Sequence, residues 1–407
     1  MIDRAFTRPG IRGRLIELPV DVVAVGKAAP AMATALLARP DVRVRQALAI
    51  GTHQTPDMPS ALAFMPAGHP FPDGRSRMAA RAALDIAARV PPDGQLVLLV
   101  SGGASALMAE AADGLSFEDK LTATRAFMLA GADIHQLNAL RKHLSAVKGG
   151  RLAAACAGAT TTLALSDVVG DDLSVIGSGP GVADLSTWAD VAEGIEACQA
   201  WDVLPSEVRA RIEAGCRGLA PETPKPGDPR VARTHGEVVG SAAHAVDAAS
   251  VAAEALGYAT VVMAQRVTGE ARAAAPAWLD RALTLAHEQH RPCCVLSSGE
   301  TTVRVRGTGV GGRNLEFALA LVEPLRGVSG VMAASIGTDG VDGTSDAAGA
   351  VVDGTTWARA AGSGLPPASA FLDRNDSANF FGPLGDAIRT GPTDTNVGDL
   401  QLLLIHP

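Results

Sequence analysis

The sequence predicts an α/β chain of two domains, a larger doubly wound one on a mainly parallel sheet and a smaller α/β one after it. Three observations carry this. Short apolar runs ending in Gly or Ser alternate with longer Ala-rich stretches of helical period, as βα units around a parallel sheet do. At 407 residues the chain is longer than one hydrophobic core usually serves. Between residues 221 and 229 stand four prolines, which continue neither helix nor sheet and mark a linker. The expected domains are therefore 1–229 and 230–407.

In the first domain the apolar runs at 21–25, 44–50, 95–100 and 161–165 are predicted strands. The intervening stretches 30–38, 75–90, 117–130 and 136–155 are predicted helices. Beyond the proline-rich segment, helices are expected at 241–256 and from 270 to about 288, with a strand at 260–264 between them. Further strands follow at 293–297, 301–306, 330–336, 350–353 and 400–405.

Composition narrows the function. Lys and Arg number 35 against 43 Asp and Glu, a net charge of −8 that speaks against a nucleic-acid partner. Aromatics make up only 3%, too few for base-stacking platforms, so Ala, Val, Leu and 44 Gly must pack and turn the chain. Charges scattered through the first twenty residues interrupt any signal-peptide core, and no run of about 18 apolar residues spans a membrane. Five cysteines, odd in number and without zinc-site spacing, read as reduced thiols, and a cytoplasmic protein is expected.

In doubly wound folds ligands sit beyond the carboxyl ends of strands, so the loops after apolar runs come next. Gly26-Lys27 follows the first strand and puts a cation where anions bind well, although a solvated lysine in a tight turn reads the same way. Ser101-Gly102-Gly103-Ala104-Ser105 joins glycines, which let the backbone approach a ligand, to two hydroxyls, as in a phosphate or carboxylate cradle. It lacks the ending of a Walker A loop. Arg141, Lys142, Lys148 and Arg151 are four cations in eleven residues; on one continuous helix Arg141, Lys148 and Arg151 share a face, suited to a polyanion or to solvent.

In the second half, Gly307 to Gly312 leads into Arg313-Asn314, and Asp339 and Asp342 stand among glycines after an apolar strand. Carboxylates on such a loop suit Mg²⁺, which takes one or two of them plus substrate phosphates. Asp167, at another strand end, is a further candidate acid, and an Asx turn is the bland reading of each. Cations, glycine-rich cradles and strand-end aspartates together suit phosphoryl transfer, which needs positioning and charge neutralisation.

At these loops the sequence resembles the glycerate 2-kinases that end in a MOFRL domain, a family often labelled hydroxypyruvate reductase. The matching segments are VGKAAPAMA (25–33), AGHPFPDGRS (67–76), LVSGGASALM (99–108), RKHLSAVKGGRLA (141–153) and LSDVVGDDLSVIGSGP (165–180). SSGETTVRVRGTGVGGRNLEFALA (297–320), GTDGVDGTSDAAGA (337–350) and GPTDTNVGDL (391–400) follow in the family's order. Ala104 stands where the family usually has a third glycine, and the segment before the first strand is short.

The resemblance implies a Rossmann-like, mainly parallel α/β sandwich plus a smaller α/β domain of MOFRL type, its MOFRL-like region at about 290–407, with the active site in the cleft between them. It implies transfer of the ATP γ-phosphoryl group to the 2-hydroxyl of D-glycerate, with Mg²⁺, and partners limited to those small molecules and at most a second copy in a homodimer. Lys27 and Arg313 become the cations on transferring phosphate and bound glycerate, and Asp167 the group that orients or deprotonates the hydroxyl. Ser101, Gly102, Gly103, Ser105, Arg141, Lys148 and the turn Gly177-Ser178-Gly179 would hold phosphates or the carboxylate, with Asn314 in the same binding set. Asp339 and Asp342 would hold the metal, and Glu300 is one more acid. The alternative, an NAD(P)H-dependent hydroxypyruvate reductase, expects Gly-x-Gly-x-x-Gly after a strand, but the first turn reads Gly26-Lys27-Ala28-Ala29-Pro30. A non-catalytic small-molecule sensor is the third reading, disfavoured by so many loops of catalytic type.

Overall fold

The computed structural model describes residues 5–55, 57–168, 170–289 and 292–406. Two compact units make up the chain, Met1–Val239 and Gly240–Pro407. In the first, β1 (Val20–Val25), β2 (Val44–Gly51), β3 (Leu62–Pro66), β4 (Gln95–Val100), β5 (Ala159–Leu165) and β6 (Thr234–Gly240) form one sheet. Its order is β3-β2-β1-β4-β5-β6, and β1 runs parallel to β2 and β4, β2 to β3, and β4 to β5.

Every residue of β1 and β4 is buried, which is why these strands read as unbroken apolar runs. Val23, Val25, Leu96 and Leu98 pack against Ala79, Ala80 and Ala83 of the helix Gly74–Arg89. Val22, Ala24, Val97 and Leu99 face Ala29, Met32 and Ala33 of the helix Ala29–Leu37 on the other side. Small alanines bring helix and sheet close, so a core almost without aromatics still fills. Aromatics serve the lobe beside the sheet, where Phe127 and Trp188 pin together the helices Phe117–Leu129, Ile134–His143 and Trp188–Ala197.

Two local readings change. The helix expected over 136–155 ends at His143 and resumes only for Arg151–Ala154, because Gly149 and Gly150 take φ of 57° and 79°, outside helical space. The proline-rich segment is held onto the first unit: Asp184 N donates to Pro224 O at 2.8 Å, and Thr223 Oγ1 to Asp184 at 2.8 Å. β6 then follows and joins the sheet's edge beside β5.

The second unit is a mixed sheet of β7 (Ala259–Val262), β8 (Val267–Glu270), β9 (Cys293–Thr302), β10 (Val331–Gly337), β11 (Gly349–Asp353), β12 (Ala387–Ile388) and β13 (Asp399–Ile405). The order is β12-β11-β10-β13-β9-β7, with β8 paired to β9. The strands expected at 293–297 and 301–306 are in fact one, β9, which ends at Thr302. The helices Ala271–His287 and Arg313–Ala320 bury Trp278, Leu279 and Phe317 against this sheet. Among the described residues no helix is long and apolar enough to cross a membrane.

Candidate active site

Strand order in the first unit reverses at the β1–β4 pair. A reversal of strand order is the usual ligand position in such sheets. The loop after β1 carries Gly26-Lys27, and the loop after β4 carries Ser101-Gly102-Gly103. Ser101 N donates to Val25 O at 3.0 Å, Lys27 N to Gly102 O at 2.9 Å, and Ala28 N to Ser101 Oγ at 3.1 Å. The loops touch so closely that a Cβ on Gly26, whose φ is 130°, would lie 2.1 Å from Ser101 Oγ. Gly26→Ala is expected to destabilise the protein by about 2 kcal/mol or more through strain and overpacking. An unchanged urea midpoint would show that the crossing is not tight.

Three groups at this crossing have no partner among the described residues. The Lys27 side chain is exposed, and the N–H groups of Gly102 and Gly103 have no acceptor among the described residues. Gly103 has φ 87°, the left-handed conformation that anion-binding nests use. His69, which the sequence reading did not single out, flanks them: a Cβ on Gly103 would sit 3.0 Å from its ring. Burial, and secondarily the charge of Lys27, lowers the His69 pKa and keeps the ring neutral at pH 7.

The turn Gly177-Ser178-Gly179 lies behind this loop as a buttress. All three residues have φ near 60°, and Ser178, a non-glycine in that region, is fully buried. Ser178 Oγ meets Ser105 Oγ at 2.7 Å and donates to Asn138 Oδ1 at 3.1 Å. Its backbone N–H goes to Val175 O and that of Gly179 to Ile176 O, while their carbonyls accept from Gly149 and Gly150. With those groups satisfied internally, Ser178 and Gly179 support the loop, while the N–H of the half-buried Gly177 has no acceptor among the described residues. Asp167 stands two residues beyond the end of β5 and is half-buried.

The cation run separates into distinct environments, so the shared helical face expected for Arg141, Lys148 and Arg151 does not exist. Lys142 pairs with the buried Asp184 at 3.0 Å. Arg151 lines a different hollow from Arg141, with Arg211 and Arg230. Arg141 and Lys148 line a cavity of about 540 Å³ together with Ser105 and a third cation, Lys120. Lys148 Nζ donates to the carbonyls of Ser105 (2.9 Å) and Met108 (3.3 Å). Lys120 was missed, although it shares the buried stripe of its helix with Ala123 and Phe127, where a lysine is costly.

In the second unit Arg313 opens its helix and forms a bidentate pair with Asp399, Nε to Oδ2 at 2.7 Å and Nη2 to Oδ1 at 2.9 Å. Its Nη1 meets Glu300 at 3.2 Å. Burial acts against the guanidinium charge, but Asp399 outweighs it and raises the Arg313 pKa. Burial also raises the pKa of Asp399, against the pull of Arg313. Asn314 Nδ2 donates to Asp399 at 3.0 Å, and its Oδ1 accepts from Ser335 at 2.6 Å. Asn314 thus orients the carboxylate that holds Arg313.

Asp342 is placed as a helix anchor, which corrects its expected role as a metal ligand. Its Oδ1 accepts from Asn314 N at 3.0 Å and its Oδ2 from Leu315 N at 2.8 Å, and the residue is 2% exposed. Burial, opposed by those N–H groups, pushes its carboxyl up to about 6. Asp339 is half-buried and accepts from Val341 N through Oδ1 at 3.3 Å. Among the described residues no three His, Cys, Asp or Glu side chains gather as a metal set. Mg²⁺ carried mainly by phosphates, with Asp339 as a carboxylate ligand, fits these residues.

Comparison with known proteins places this geometry. Residues 14–213 match the family described as a domain of unknown function, DUF4147, and residues 293–399 match the MOFRL family. A glycerate 2-kinase of Pyrococcus horikoshii is 35% identical over 402 residues, covering 97% of this chain and 90% of its own length. A relative in Agrobacterium vitis, 38% identical over 97% of this chain and 88% of its own, carries a provisional hydroxypyruvate reductase label. The crystal structure of a glycerate kinase from Thermotoga maritima superposes with a TM-score of 0.87 at 33% identity, covering 99% of this chain and 95% of that one. With near-full-length identity of this order and both domain types in sequence, the chain belongs to the glycerate 2-kinase family of DUF4147 and MOFRL type.

Proposed function

We propose that this protein transfers the γ-phosphoryl group of ATP to the 2-hydroxyl of D-glycerate, giving 2-phosphoglycerate and ADP. The observation that carries the proposal is the β1–β4 crossing, where the exposed Lys27 stands beside the open N–H groups of Gly102 and Gly103. Charge accumulates on the equatorial oxygens during such a transfer, and a fixed cation with oriented N–H donors stabilises it there. The hydroxyl oxygen forms the new P–O bond, the bond to the β-phosphate oxygen breaks, and the hydroxyl proton goes to Asp167. Arg313, held by Asp399 and Glu300, is the cation of the second unit whose charge the reaction is expected to need. Arg141, Lys148 and Ser105 contribute anion-binding groups from their cavity. Asp339 would hold Mg²⁺, which would supply neutralisation of phosphate charge.

The dinucleotide alternative meets a physical obstacle. The turn after β1 has no second or third glycine, and Gly26 already backs onto Ser101. Purified protein given D-glycerate, ATP and Mg²⁺ is expected to release ADP only when glycerate is present. NAD(P)H oxidation by hydroxypyruvate without ATP use would instead establish the reductase. Asp339→Asn is expected to raise the Mg²⁺ concentration for half-maximal rate by about 3- to 10-fold, since one charged ligand is lost. An unchanged Mg²⁺ titration would remove Asp339 from the metal site.

A further inference from the structure

The cavity beside the Ser101–Ser105 loop has a composition that a three-carbon acid does not use. Lys120 and Lys148 are 3% and 1% exposed and both line it, with the Arg141 guanidinium between solvent and interior. Arg141 has no hydrogen-bond or ion-pair partner among the described residues, and Lys120 Nζ reaches only the Arg141 carbonyl, at 3.5 Å. Buried cations are normally matched by carboxylates, because desolvation of an unpaired charge is costly. Here the acids are elsewhere or outside: Glu110 is engaged by Arg77 and Arg81, and Glu118 is exposed on the rim, where Arg125 adds another positive charge. The apolar lining includes Phe71, Leu121 and Met128.

We infer that this cavity is the nucleotide site, with Lys120, Arg141 and Lys148 on the polyphosphate and Phe71, Leu121 and Met128 against the base. The assignment rests on the kinase reading above and adds Lys120 as a phosphate-binding residue. A volume of about 540 Å³ suits a nucleotide-sized ligand and leaves glycerate mostly unenclosed. Three convergent cations match a chain of phosphates, while the single carboxylate of glycerate uses one bidentate partner. Ser105 belongs both to this cavity and to the loop beside the open N–H groups, so a polyphosphate seated here lies next to the loop proposed for transfer.

The charge state of the cavity agrees. Burial, with Arg141 adding to it and Glu110 opposing, brings the Lys120 pKa down to about 7. Lys148 is driven well below its ordinary value by burial and by Lys120 and Arg141. An arriving polyanion reverses both, so binding at pH 8 takes up protons and tightens as the pH falls towards 7.

Calorimetric titration of the full chain with Mg²⁺ and a non-hydrolysable ATP analogue tests this. Lys120→Gln and, at the 44% exposed rim, Met128→Asp are each expected to weaken analogue binding at least about 10-fold. The KM for D-glycerate is expected to stay within about 3-fold, and proton uptake, read from several buffers at pH 8, to fall in Lys120→Gln. Inorganic tripolyphosphate is expected to bind more weakly than the analogue, and equal affinities would overturn the placement of the base. Unchanged analogue affinity in both variants, or a rise confined to the glycerate KM, would overturn the nucleotide assignment. If wild type phosphorylates glycerate while analogue binding ignores both variants, the cavity assignment fails and the kinase stands. If no glycerate is phosphorylated yet analogue binding depends on Lys120, the kinase reading fails and the nucleotide site stands.

Discussion

Lys27→Ala is expected to lower kcat for glycerate phosphorylation by about 10²- to 10³-fold, the usual cost of removing one preorganised group from developing charge. The structure explains why this loss should come without unfolding. The side chain is exposed and makes no hydrogen bond or ion pair among the described residues, so its removal should change stability by no more than about 0.5 kcal/mol. The strain and contacts of the crossing belong to Gly26 and Ser101, which the substitution leaves intact. Near-normal kcat/KM in Lys27→Ala would remove the central cation from the mechanism.

Arg313→Ala is expected to lose turnover on a similar scale, but with a second effect that Lys27→Ala lacks. Asp399 has a side chain with no exposed surface, and Arg313 is the cation that pairs with it. Truncation leaves that carboxylate buried near Glu300 and Asp342 with no cation, only the Asn314 amide donating to it, which costs about 3–5 kcal/mol. Its pKa, already raised by burial, rises further once the arginine is gone, so the variant is expected to lose stability as pH climbs through the carboxylate range. Combining Arg313→Met with Asp399→Leu is expected to recover most of the urea midpoint while leaving the enzyme inactive. Full activity in that double variant would make the pair purely structural. An unaltered midpoint in Arg313→Ala would show that the pair carries no stability.

The βα alternation of the first unit was legible because its strands are buried on both faces and therefore apolar throughout. β3 and β6 escaped notice: β3 is mostly half-exposed, and β6, Thr-His-Gly-Glu-Val-Val-Gly, follows a segment that looks like a linker. Lys27 and the Ser101–Ser105 loop could be found because glycines at strand ends mark close backbone approach. Lys120 and Asp399 were missed since each occupies an inward position of an amphipathic element, where the reading looked for apolar residues only. Asp399 opens β13, whose alternate residues Asp399, Gln401, Leu403 and Ile405 are buried, and an acid in that series is itself the signal. Asp342 misled for the opposite reason. Its glycine-rich surroundings resemble an open metal loop, yet Gly312 passes so close that a Cβ there would lie 2.5 Å from the Asp342 carboxyl carbon, and the helix closes over it.

The most direct test of the proposed activity is the phosphorus NMR spectrum of the product formed from D-glycerate, ATP and Mg²⁺. Phosphate on the 2-oxygen couples to a single carbon-bound proton and is expected as a doublet, accompanied by the resonances of ADP. A triplet, from phosphate on the terminal CH₂–O group, would contradict the proposed regiochemistry. No new phosphate ester, with ATP intact, would contradict the kinase itself.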